Sequence, residues 1–165
     1  MAYTVHQHLA YNTWANAKFA AVLSELDDKI YFQDNKSSFH SIAKTVLHIW
    51  GAQVIWLNRM HGLSLTAWPA ADFQDNKVES LKSLAQSSDD LMQYVSSKNE
   101  SFLSSTYAYK NMKGDPFEDR YEDTLFHIVN HGTYHRGQII IMLREAGETT
   151  LPATDLIHYL RGVQK

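Results

Sequence analysis

Four long stretches of this sequence repeat their apolar side chains at steps of three and four, a period that buries one side of a helix and nothing else. Residues 4–26 carry Leu9, Phe19, Val22, Leu23 and Leu26 at that spacing, with Thr4 placed to cap the start. Residues 41–60 set Ile42, Val46, Ile49, Trp56, Leu57 and Met60 on one broad face, and Gly62 marks their end. Residues 77–97 supply Val78, Leu81, Leu84, Leu91 and Val95. Residues 121–146 turn Leu125, Ile128 and Met142 toward a core and stop at Gly147, because glycine tolerates the positive φ that closes a helix. Strands do not alternate with these helices, which excludes a parallel α/β sheet. The expected fold is all-α: a four-helix bundle with one or two crossover connections and a short C-terminal helix beginning after Thr154.

The connections are less regular. Residues 101–120 alternate, with Tyr107 and Tyr109 on one side and Lys113-Gly114-Asp115-Pro116 as a turn, which predicts a small hairpin or an extended crossover. Residues 62–76, containing Trp68-Pro69 and Asp75-Asn76, read as a loop long enough to serve a function or act as a lid. A connector with Asp34, Asn35 and Ser37 follows the first helix. No internal repeat, low-complexity tract or linker divides the chain, so residues 1–165 are expected to form a single domain. One position type breaks the pattern: continuing the stripe of the first helix lands on Asn12 and Asn16. The ordinary reading puts them at the edge of a drifting stripe; the sharper one makes this helix the wall of a polar cavity.

Composition narrows the function. At 165 residues, with 44% hydrophobic and 20% charged side chains, the chain buries about 70% of its unfolded surface and needs no disulfide or metal to complete its core. A metal would serve chemistry. The 15 Lys and Arg against 18 Asp and Glu give a net charge of -3, so there is no positive excess for phosphates and nucleic acid is not an expected partner. No apolar run has the length of a membrane span, and residues 1–14 lack the basic and apolar segments of a signal peptide. No membrane association is expected, and the expected compartment is the cytoplasm. The absence of cysteine removes disulfides, thiolate metal sites and cysteine nucleophiles together. Nine histidines are the one compositional signal of chemistry.

Three of them, His127, His131 and His135, fall four apart on the last long helix and so stack as a ladder on one face. Neutral imidazoles bind borderline divalent cations, and a pair at i and i+4 reaches one point without straining the helix. His127 and His135 lie about 12 Å apart along the axis, so only adjacent rungs can share a cation. Geometry does not choose between 127 with 131 and 131 with 135. The pair is not the metalloprotease signature, since Gly132 stands where that motif needs Glu. A third ligand must come from another helix, and His48, at the edge of an apolar face, is the best placed. His61 lies near a helix end, and His6, His8, His40 and His158 lie near termini or connectors.

The string Asn130-His131 through His135-Arg136-Gly137-Gln138-Ile139 carries a resemblance. With Leu47-His48-Ile49 before Trp56, Tyr11-Asn12, Trp14-Ala15-Asn16 and the closing Pro152-Ala153-Thr154-Asp155-Leu156, it resembles the DinB-like (DNA-damage-inducible, YfiT-related) family of four-helix-bundle metal proteins over nearly the whole chain. The resemblance implies a divalent metal, zinc or nickel, on His48, His131 and His135, and usually a homodimer. It selects the 131 and 135 pair, which leaves His127 off the metal. Family members of known activity imply a thiol S-transferase, an isomerase or a hydrolase of small molecules, with a low-molecular-weight thiol as the partner molecule.

The sequence therefore predicts a metal-dependent transferase or hydrolase of a small-molecule substrate. The alternative is a non-catalytic metal-binding stress-response dimer in which the cation is structural. Asn12, Asn16, Tyr134 and His127 are candidates for orienting a ligand or moving protons. Arg136 and Gln138 read equally as solvated or packing residues of an ordinary helix, and no role is assigned to them. Trp14, Phe19, Trp50 and Trp56 exceed what one bundle of this size readily covers, which also favours a second copy.

Overall fold

The structure is a computed structural model describing residues 4–163. In chain order its elements are α1 (Val5–Glu25), α2 (Asp28–Phe32), α3 (Ile42–Met60), α4 (Lys77–Ser96), α5 (Glu100–Leu103), β1 (Thr106–Lys110), β2 (Pro116–Arg120), α6 (Tyr121–Glu145) and α7 (Leu156–Val163). Both α1 and α3 pack against α4 and α6, which places α1 opposite α3 and α4 opposite α6. The α1–α3 and α4–α6 connections therefore each cross an end of the bundle, as the expected architecture requires. Among the described residues no helix is long and apolar enough to cross a membrane.

Local chemistry starts and stops these helices. Thr4 Oγ1 accepts from the Gln7 N–H at 3.3 Å while Gln7 Oε1 accepts from the Thr4 N–H at 3.0 Å, a reciprocal capping box. Ser41 Oγ accepts from Lys44 N–H, and Asn76 Oδ1 from Glu79 N–H. Strand β2 runs directly into α6, which has no side-chain cap and instead carries Glu122 and Asp123 in its first turn, where negative charge suits the helix dipole. Gly147 closes α6 at φ 86°, as its position predicts.

The core comes in two halves. Phe19, Leu23, Val46, Ile49, Leu84, Ile139 and Leu143 fill one, and Leu9, Ala15, Met60, Leu91, Val95, Leu125 and Val129 the other. Leu23, Val46 and Leu143 are 0% exposed, and burial of such a side chain contributes about 1.5–3 kcal/mol. Between the halves lies a polar layer to which every long helix contributes: Asn12 and Asn16 from α1, Gln53 from α3, Ser87 and Ser88 from α4, and Arg136 from α6, all buried. Asn12 Nδ2 donates to Gln53 Oε1 at 3.2 Å, Asn16 Nδ2 to Ser88 Oγ at 3.0 Å and Gln53 Nε2 to Ser87 Oγ at 3.1 Å. Asn12 and Asn16 thus face the interior and not the edge of a stripe, but what they line is a filled polar layer and not a cavity.

Some expectations are corrected. Residues 28–32 and 100–103 form short helices where only connectors were expected. The hairpin exists, antiparallel with Tyr107 opposite Asp119, but Pro116 opens β2 opposite Lys110 and is no part of the turn. Val78 is 71% exposed, because the buried face of α4 runs through Ser80, Leu81, Leu84, Ser87, Ser88, Leu91 and Val95 and leaves position 78 outside it. Phe19 is 1% exposed and fully used by the chain's own core, so it gives no support to a second copy. Trp14, Trp50 and Trp56 do stay partly exposed.

Candidate metal centre

Helices α3 and α6 are neighbours, and their contact carries His48 to His131 and His135. His131 Nε2 lies 2.9 Å from His48 Nε2 and 3.1 Å from His135 Nε2. One ring nitrogen of each falls within 4.8 Å of the others, so the group could hold a metal ion, and among the described residues no carboxylate belongs to it. His127, one turn before His131, stands outside it. Its ring is 5.8 Å from that of His131 and packs edge-on against Trp56 at 5.4 Å.

Each ring is held by its surroundings. The His48 imidazole is nearly parallel to Phe39 at 3.9 Å and to Trp68 at 5.2 Å. Phe39 reaches it because His40, at φ 63°, turns the chain sharply just ahead of the Ser41 cap, and the His40 carbonyl is fixed by the Asn35 N–H at 2.7 Å. Trp68 comes from the loop between α3 and α4 and lies over Gly51, where a Cβ would come within 2.5 Å of the indole. Gln138 Oε1 lies 2.8 Å from His135 Nδ1 and accepts its proton, which leaves Nε2 with its lone pair facing His48 and His131.

Burial, and secondarily the charge of its neighbour His135, pushes the His48 imidazole down to about 4. Burial followed by the charges of His135, His48 and His127 pushes His131 down to about 3. Burial also lowers His135, against the Gln138 bond that favours its charged form. All three are therefore neutral near pH 7. Three neutral imidazole nitrogens this close can share a proton or a metal ion, and the donor set suits a borderline divalent cation.

The DinB family model matches residues 1–164. The chain is 32% identical over 156 residues to Protein DinB of Bacillus subtilis strain 168, an alignment covering 91% of this chain and 90% of that protein. This chain belongs to the DinB family. A DinB-like protein from Bacillus cereus ATCC 10987 has a similar fold, with TM-score 0.61 at 21% identity, covering 93% of this chain and 99% of that one.

Within this DinB-family chain the other candidates divide clearly. Asn12 and Asn16 belong to the polar layer and are no part of the histidine cluster. Tyr134 is 64% exposed and meets His135 edge-on at 5.0 Å. His6 Nε2 is 3.1 Å from the Val95 carbonyl, His8 packs on Phe126 and His61 on Tyr94, while His40 and His158 approach Asp34 and Asp155. Sequence reasoning assigned Gln138 no role, placed Trp68 only in a loop long enough to serve a function, and did not single out Phe39 or Gly51. Only Gln138 carries a signal that could have found it, since it sits one helical turn beyond His135. Arg136 is also corrected: it is 2% exposed, and its solvated reading is wrong.

Proposed function

We propose that the chain holds one divalent cation, zinc or nickel, on the Nε2 atoms of His48, His131 and His135 and acts as a metal-dependent enzyme on small molecules. The reaction class is S-transfer from a low-molecular-weight thiol or hydrolysis. The observation that carries the reading is the convergence of three neutral imidazole nitrogens with no fourth His, Asp or Glu in the group among the described residues. Structural zinc is normally closed by four protein ligands, whereas three leave room for substrate. When bound, the cation supplies Lewis-acid polarisation and lowers the pKa of a thiol or water that it meets.

The chain's own residues prepare that position. Gln138 holds the His135 proton on Nδ1. Phe39 and Trp68 exclude water from the His48 ring and fix its tilt. The cytoplasmic location and the thiol partner come from the sequence and the family resemblance.

Metal analysis of tag-free protein refolded with zinc or nickel tests the site. About one equivalent is expected in the wild type and under about a tenth in His131→Ala, because removing the central nitrogen leaves two donors from different helices. A wild-type value that low overturns the metal reading. Screening the loaded protein with small thiols and electrophilic acceptors then separates an enzyme from a metal-binding protein without activity.

A further inference from the structure

Lys44 is an exposed cation, and no ion pair among the described residues includes it. It stands in the first turn of α3, where the helix dipole favours negative charge and the chain supplies no acidic residue. The local potential is therefore positive. One helical turn further along the same face comes His48, so the ammonium and the imidazole project side by side from α3.

Those two side chains line a cavity of about 480 Å³ whose other walls are Phe39, Leu47, Trp68 and Ala70. That volume is in the range of small-molecule sites. Lys44 is the only side chain with a full charge among the described residues that line it. Phe39, Leu47, His48, Trp68 and Ala70 are each only partly buried, so their remaining surface is open to a ligand. The wall contributed by the loop between α3 and α4 is braced by its own contacts. Trp68 rests on Gly51, its carbonyl accepts from the Ala71 N–H at 3.0 Å, and the Ala70 carbonyl accepts from the Phe73 N–H at 3.2 Å. The Phe73 ring in turn packs edge-on against Trp50 of α3 at 5.3 Å. The cavity is thus formed before any ligand enters it.

We propose that this cavity takes an aromatic acid as the small-molecule substrate of the metal centre, its ring against Phe39, Leu47 and Trp68 and its carboxylate on the Lys44 ammonium. As a substrate site it rests on the metal-dependent reading, because His48 belongs to both; the binding itself needs no metal. An aromatic body is favoured over an alkyl chain because Phe39 and Trp68 offer rings to pack against, and an anion because the one charge in the wall is positive. Lys44 is then a specificity-determining residue and not a catalytic one.

Calorimetric titration of the full-length, EDTA-stripped protein tests the binding, with 2-naphthylacetate as the probe and 2-naphthylacetamide as its uncharged counterpart. The acid should bind saturably and about fivefold more tightly than the amide, the upper end of what an exposed ion pair contributes. It should also shift the Trp68 indole N–H resonance, which Trp68→Ala identifies by removing it. Lys44→Met should lose the preference for the acid while keeping the amide affinity and zinc content of the wild type, and Trp68→Ala should weaken acid and amide alike. In protein loaded with cobalt in place of zinc, the acid should change the visible spectrum of the metal, since His48 is common to both sites. No saturable binding to the stripped protein, equal affinity for acid and amide, or a preference that survives in Lys44→Met overturns the proposal whatever the zinc content. An unchanged cobalt spectrum overturns the substrate assignment. Intact acid binding in a chain that takes up no metal would instead overturn the metal reading, and the substrate assignment with it.

Discussion

Which nitrogen of His135 carries its proton is decided three residues further along the same helix. Gln138 Oε1 can only accept, so at 2.8 Å it fixes the proton on Nδ1 and frees Nε2. Replacing Gln138 with Leu removes that acceptor while keeping the helix, and metal affinity is expected to fall about 10–100-fold, the usual cost of losing a partner that orients a ligand. A competition titration with a chelator reads this directly. In the same assay His127→Ala should keep nearly full occupancy and His135→Ala should lose it; the reverse pattern would mean that the 127 and 131 pair holds the cation. At this scale the ladder was legible because imidazoles four apart must share a helix face. The burial of Arg136 was not, since its acceptors Asn12 and Asn16 come from the other end of the chain, 124 and 120 residues away. A lone charged side chain on a mixed helix gives no sign of partners so distant.

Among the elements, the loop between α3 and α4 bears most directly on the site. Its Trp68 indole rests on Gly51 and stacks on His48, one turn of α3 earlier. A methyl group at 51 would sit 2.5 Å from the indole, so the ring has to move even though alanine is the better helix former. Gly51→Ala is therefore expected to fold with α3 intact, to shift the tryptophan emission as Trp68 leaves its seat, and to weaken metal binding about tenfold through the loosened His48 ring. Unchanged emission and unchanged affinity would show that the indole has no part in holding the histidine. The sequence disclosed the loop through Trp68-Pro69 and Asp75-Asn76, and the hairpin through its alternating tyrosines. It did not disclose α2, which is five residues long and too short for a helical period to show. Nor did it show what Trp68 covers, because the contact depends on the absence of a side chain at Gly51.

For the molecule as a whole, two of the polar groupings inside the bundle respond differently to acid. The layer of Asn12, Asn16, Gln53, Ser87 and Ser88 does not titrate. The histidine cluster does, and it titrates against the fold. Burial and mutual charge hold His48 down to about 4 and His131 down to about 3 in the folded chain, whereas an unfolded histidine has its pKa at about 6.5. Between these values the unfolded chain binds protons that the folded one refuses, so stability rises with pH and is lost as pH falls from about 6.5 toward 4 and 3. In metal-stripped protein the denaturation midpoint should fall steadily as the pH is lowered from about 6.5 to about 5, a window that lies above the ordinary range of Asp and Glu. His131→Gln, which removes the most depressed of the imidazoles, should flatten that slope. A stripped wild type whose midpoint is level across this window, or a His131→Gln slope as steep as its parent, would show that the cluster is open to solvent and not held neutral by the packing described for it.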